Sequence, residues 1–454
     1  MTANTWLAKP AGMLRLFRKR RFLAARGRRF WLALLVGAIL LAAVAPVLWA
    51  GYHAYAAHRA WKRYHSAEAR AHFNVCLHIW PWSRSAVLHL WAAQAARREG
   101  DFEEARRLLH ECQNTLHDNS PEALLEWAML RAARGDLETT TEPLRETVRL
   151  QPAVLPVVYE ALAEGYLTLS RVLDALRTAD EWLKLEPNNP QVWFVRGKIH
   201  RHVGAVQTVA ADCQRVLELD PERTEARWWL AIALLDLGRY QEAYQQLEIL
   251  EASHSQDVNV QVRRAICLWR LERDEEARGL LDGVLAEHPH HGSALRTRGQ
   301  MLLQAGQYAQ AEPWLREAAR VLPYEHATQN ALWECLRQQG KSEEAEVQRQ
   351  RTEALFERLT QLTDILTHRM QQKPDDPSLH CKLGTLYLQL GSPQVGEAWL
   401  LSALRLDRHY QPALEALAQY FQDRGDNERA KAYRHQAQIA IKTTSLTNQR
   451  NKNN

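Results

Sequence analysis

The chain has 454 residues, 46% hydrophobic and 24% charged, with a formal net charge of +5. That charge is uneven: residues 1–30 carry Lys9, Arg15, Arg18, Lys19, Arg20, Arg21, Arg26, Arg28 and Arg29 and no acid, and taking these nine from the total of 58 leaves 49 bases against 53 acids. A slightly acidic body argues against nucleic acid as a partner, and the scarcity of alternating β-branched runs excludes a sizeable sheet.

Residues 1–30 read as a basic cytoplasmic leader. They precede WLALLVGAILLAAVAPVLWA, residues 31–50, a stretch of twenty residues without a charge. As a helix rising about 1.5 Å per residue it is about 30 Å long, the thickness of a bilayer's hydrocarbon core. Phe30 and Trp31 at one end and Trp49 and Tyr52 at the other are rings that favour the interface, so residues 31–52 are expected to form an uncleaved transmembrane anchor. The rival, a cleaved signal peptide, requires a shorter apolar core and a small-x-small site, for which Ala54-Tyr55-Ala56 is poor. Nine cations precede the span and four (Arg59, Lys62, Arg63, Arg70) follow it closely. This asymmetry predicts a single-pass inner-membrane protein with its N-terminus in the cytoplasm and the remainder on the other side.

Beyond the span one pattern recurs. In LLDLGRYQEAYQQLEIL, residues 234–250, two apolar runs flank Gly238, and Ala243 follows five residues on. The same arrangement is anchored at Tyr64, Gly100, Gly135, Ser170, Gly204, Glu272, Gly306, Gly340, Gly391 and Gly425, with a constant spacing of 34 residues from Ser170 to Gly340. Small residues stand five after the anchor (Ala175, Ala277, Ala311) and seven before it (Ala163, Gly197, Ala231, Ala265, Gly299). Pro81, Pro152, Pro187, Pro221, Pro289 and Pro323 stand seventeen after it. Glycine accepts the left-handed backbone that ends one helix and turns the chain back. Small residues let two helix axes approach, and proline, lacking an amide hydrogen, stops the second helix.

A 34-residue period with these landmarks resembles the tetratricopeptide repeat family. The resemblance covers about residues 51–440 in eleven units. It departs at Tyr64, Ser170 and Glu272, which replace the turn glycine, and at Trp333, which replaces a small residue. It implies an all-α fold, a right-handed superhelical solenoid of helix-turn-helix repeats preceded by one transmembrane helix. The main array is expected over 53–340 and a C-terminal block over 376–440. Between them, residues 341–375 lack glycine and any proline before Pro374, and keep an apolar stripe at Ala345, Leu355, Leu359, Leu362, Ile365, Leu366 and Met370. They read as a long helical connector that interrupts the stacking. Residues 441–454 are polar and aperiodic and read as a disordered tail.

Leader, anchor and repeats occupy almost the whole chain, so no catalytic domain is expected, and no catalytic, metal or cofactor residue is assigned. QQGKS, residues 338–342, imitates the end of a phosphate-binding loop, but Cys335 stands where that loop needs its first glycine. His288, His290 and His291 fall at a turn between repeats and read as solvated. Cys76, Cys112, Cys213, Cys267, Cys335 and Cys381 form no CxxC and read as small buried hydrophobes.

In the family's register, residues ten, six and three before the anchor line the concave groove. The resemblance thus assigns Phe194, Lys198 and Arg201; Trp228, Ile232 and Leu235; Val262, Ile266 and Trp269; Arg296, Gln300 and Leu303; and Asn330, Glu334 and Arg337. The tryptophans are placed to bury a partner's apolar side chains, or else to pack between neighbouring helices, and Lys198, Arg201 and Arg296 to meet carboxylates. The clamp of lysine and asparagine that some relatives close on a C-terminal carboxylate pair is not supported, because Trp228 and Ile232 follow Lys198. The expected function is a membrane-anchored scaffold or adaptor that binds other proteins or peptides. The alternative is an accessory, non-catalytic subunit of a membrane enzyme or of an envelope biogenesis or export complex, as in cytochrome maturation or polysaccharide or protein export.

Overall fold

The computed structural model describes residues 44–79, 84–253 and 257–452, among which there is no strand. The chain divides into two compact units, Met1–Leu130 and Arg131–Asn454.

The first unit holds α1 (44–62), α2 (Ser66–Cys76), α3 (Ala86–Arg98) and α4 (Phe102–His110), which passes into a π turn (Glu111–Thr115), and most of α5 (Pro121–Ala133). Ala50, Ala54, Ala57 and Ala60 of α1 share one core with Phe73, Leu108, Leu109 and Cys112. Residues 44–50 of the apolar stretch open α1. Residues 31–43 of the expected anchor, and the leader 1–30, lie outside the described residues. Among the described residues no helix is long and apolar enough to cross a membrane.

The second unit continues with α6 (Leu137–Leu150), α7 (Leu155–Thr168), α8 (Val172–Leu185), α9 (Pro190–His202), α10 (Val206–Leu219), α11 (Thr224–Asp236), α12 (Tyr240–Ser253), α13 (Val258–Arg270), α14 (Asp274–Glu287), α15 (Gly292–Gln304), α16 (Tyr308–Val321) and α17 (His326–Gln338). Each helix packs on the next, and first helices of successive pairs also touch, α7 with α9, α13 with α15 and α15 with α17. This is the layering of a stacked solenoid. Five of the second helices end at Leu150, Leu185, Leu219, Glu287 and Val321, each two residues before a proline of the repeat.

All eleven anchors have positive φ, from 55° at Ser170 to 88° at Gly135. At Gly238 the amide donates to the Leu235 carbonyl (3.0 Å) and the Arg239 amide to that of Leu234 (2.8 Å), which closes α11 and reverses the chain into α12. Glu272 makes the same turn with φ of 61°, its amide on Trp269 O at 3.0 Å and that of Arg273 on Leu268 O at 2.9 Å. A side chain in this region costs about 1–2 kcal/mol, part of which a more flexible unfolded glycine chain would cancel. Glu272→Gly is therefore expected to stabilise the chain by about 1 kcal/mol. A urea midpoint that stays or falls contradicts this.

The stretch after Gly340 is a single rod: α18 (Ser342–Asp364), a π turn (Ile365–Arg369) and α19 (Met370–Gln372). Ile365 and Met370 are buried in one core with Leu379, Leu383 and Leu386 of α20 (Pro377–Gln389). The rod does not set the C-terminal helices apart. The Gln371 side-chain amide donates to the carbonyl of buried Ser170 at 2.9 Å, and the Tyr324 ring abuts Gly391. Both ties lie within the second unit, and the boundary between the compact units falls inside α5, after Leu130, and not at residue 341. After α21 (Pro393–Leu406) and α22 (Gln411–Asp423), α23 spans Asn427–Lys452. The segment read as a disordered tail is thus helical to residue 452, since no glycine or proline after Gly425 stops the helix.

Candidate interaction groove

The first helices of the second unit carry the assigned residues, and a buried polar ladder sets their stagger. The Gln191 side-chain amide donates to Glu160 Oε1 (2.6 Å), and its Oε1 accepts from Arg223 Nη2 (2.8 Å). All three are at most 2% exposed, so the ladder ties three successive repeats together. Arg223 also lies 4.5 Å over the Phe194 ring, which stacks on Trp229 with centroids 4.6 Å apart. Phe194 is therefore interior, 6% exposed, and not a docking anchor. Leu235 and Val262 are buried as well.

The cations assigned to meet a partner's carboxylates are partly compensated within the chain. Lys198 Nζ lies 3.4 Å from Glu164 Oε1, and Arg296 is paired with Glu325. Arg201 stays exposed, its guanidinium 4.3 Å over the Trp229 ring. Glu334 and Arg337 pair with each other at 2.7 Å. The register missed Arg263, one residue beyond Val262. It is half-buried, and burial first and Arg296 second hold its pKa down, against Asp236 and Glu325.

The apolar assignments remain partly open. Trp228 and Ile232 on α11, Ile266 and Trp269 on α13, and Gln300 on α15 are half-buried. Trp228 and Ile266 rest on one core with Leu230 and Leu234. Asn330 is exposed and stands at a separate cleft beside Trp333 and Phe356. The six cysteines are buried and free, and burial pushes the thiols of Cys213 and Cys267 up to about 12.

One acidic clamp joins the eighth pair (α15, α16) to the ninth (α17, α18). Glu312 accepts from Lys341 Nζ on both oxygens, at 2.7 and 2.6 Å. Burial alone would raise its pKa, but hydrogen bonds from Lys341, Gln339 and Arg316 outweigh it and set the carboxyl at about 2. Its stabilisation is complete above the ordinary value of 4.5 and is lost as pH falls towards 2. Glu312→Gln is expected to cost about 1 kcal/mol at neutral pH, with the gap to the parent narrowing in acid. Paired melts across that range check this, and a gap independent of pH contradicts it.

Residues 202–261 and 262–326 match two family models, each described as tetratricopeptide repeat. The chain is 27% identical over 30% of its length to the DnaJ homolog subfamily C member 7 homolog of Schizosaccharomyces pombe, covering 32% of that protein. It is 21% identical over 51% of its length to the TPR repeat-containing protein YpiA of Bacillus subtilis, covering 54% of it. It thus spans about a third and about half of these two relatives. Similar solved structures include a human IFIT1 dimer with m7Gppp-AAAA, at 16% identity over 79% of this chain and 90% of that one, with a TM-score of 0.39. PilW, a type IV pilus biogenesis factor, is 18% identical over 44% of this chain and 93% of its own, with a TM-score of 0.38.

Proposed function

We propose that this chain, which carries tetratricopeptide repeats, is a non-catalytic scaffold tethered to the inner membrane through residues 31–52. Its N-terminus lies in the cytoplasm and its repeats on the other side, where they gather partner polypeptides. The observation that carries the reading is the row Trp228, Ile232, Ile266 and Trp269, large apolar side chains left half-open on two successive first helices, with exposed Arg201 on the first helix before them, α9. Aromatic and arginine side chains contribute most where a partner shields them from water, and the repeat is a module suited to binding other proteins.

Trp228→Ala combined with Trp269→Ala is expected to remove most crosslinked partners from native membranes while the helical content at working temperature is kept, the melt falling only by the packing that Trp228 gives up. Full retention of every partner sinks the groove reading. Protease added to the outer face of spheroplasts should degrade the repeats, and protection there refutes the orientation.

A further inference from the structure

The 34-residue register carries each residue of the eighth pair onto one of the ninth, yet the far sides of the two pairs differ. On the eighth, α17 is seated. Leu315 and Ala318 are fully buried, and Leu315 shares a core with Ala331, Leu332 and Cys335 of α17. The Gln329 side-chain amide donates to the carbonyls of Ala319, Leu322 and Pro323, at 3.3, 3.3 and 3.2 Å. On the ninth pair the chain does not turn at the matching point. α18 runs on, and α20 packs against the rod and the π turn beyond. His326, whose ring stands 5.3 Å from that of Phe356, edges an open cleft of about 360 Å³ whose other lining residues are Asn330, Trp333, Arg349, Thr352, Glu353 and Phe356. These are the counterparts of Arg296, Gly299, Leu315, Ala318, Ala319 and Leu322, the surface on and around which α17 sits one repeat earlier. Phe356 is 58% exposed there, and a second opening continues along Leu359, Thr360 and Thr363.

We propose that this cleft seats an amphipathic α-helix of another polypeptide, about three to four turns long like α17, which completes the stack where the rod leaves it open. The cleft specifies the guest's chemistry. In the eighth pair α16 ends at Val321 and Pro323 has no amide hydrogen, so carbonyls near its end are free for Gln329. In the ninth, the matching carbonyls of Glu353, Phe356 and Glu357 lie inside α18 and accept amides of their own helix. A glutamine at that place finds none of the three free backbone carbonyls that hold Gln329, and burying it without them costs free energy. The guest therefore presents an apolar residue to Trp333 and Phe356. Arg349 is already held by Glu346 and Glu353, so a neutral face suits the rim better than a charged one.

The test uses the full chain and a labelled, stapled 13-residue helix with the α17 sequence and the change Gln329→Leu. Anisotropy should show saturable binding, about tenfold weaker with Phe356→Glu and weaker with the unchanged glutamine. Trp228→Ala with Trp269→Ala should leave it unaltered, which separates this seat from the inner wall. Because the Phe356 side chain is exposed, its variant should melt like the parent. Absence of saturable binding, or binding indifferent to Phe356→Glu, overturns the proposal. So does a dimer that Phe356→Glu converts to monomer, since a second copy would then be the occupant.

Discussion

Glu126→Ala is expected to destabilise the first unit by about 3–5 kcal/mol. Arg97 Nε donates to Glu126 Oε1 at 2.6 Å, joining α3 to α5, and the two side chains are 1% and 0% exposed. Guanidinium does not give up its proton at any pH the fold survives, so deleting the carboxylate takes from a buried positive charge the counter-ion that stands 2.6 Å from it. The energy at stake is that of a buried ion less well compensated, more than that of the pair itself. Replacing both, as Arg97→Met with Glu126→Leu, should recover most of the loss. Hydrogen exchange of the α3 and α5 amides reads the effect locally. A single variant that exchanges like the parent, or a double variant worse than the single, contradicts the account.

Gly165→Ala should cost about 3 kcal/mol or more, through backbone and not through a side chain. A methyl at Gly165 of α7 would stand 2.1 Å from the carbonyl oxygen of Ala132 and 2.9 Å from its carbon, near the end of α5. Neither atom can rotate aside, so the two helices must part and lose contact along their crossing. Gly197 gives the control. It also lies within a helix, but a methyl there meets its nearest atom, Asp212 Cβ, at 3.5 Å, an ordinary contact. Gly197→Ala is then expected to be neutral or to stabilise by up to about 1 kcal/mol, from helix propensity. Equal melting of the two variants is the outcome that removes the close-approach argument.

The repeat was legible because its landmarks are local. A left-handed turn, a crossing of two helices and a proline stop each act within one unit, so even Tyr64, Ser170 and Glu272 could be placed by count alone. Gly165 escaped because it stands five residues before its anchor, off the positions where small residues recur. The groove was legible as a face but not as a set of free groups. Phe194 is covered by Trp229 and Arg223 of the next unit, and Lys198 and Arg296 are compensated by Glu164 and Glu325 of neighbouring units. Register tells which way a side chain points on its own helix, whereas its electrostatic partner depends on residues about 30 positions away. The connector's long helix could be read from its missing breakers, but nothing local announced that its end reaches Ser170.

That reach changes how the molecule comes apart. Modules that touch only their neighbours unravel from a free end, one after another. The bond between Gln371 and Ser170 spans 201 positions and fastens the far end of the rod to α7 and α8, so the intervening helices form a clasped hoop. Peeling from the C-terminal side must undo the clasp first, and the modules it encircles then lose their protection together, in one step.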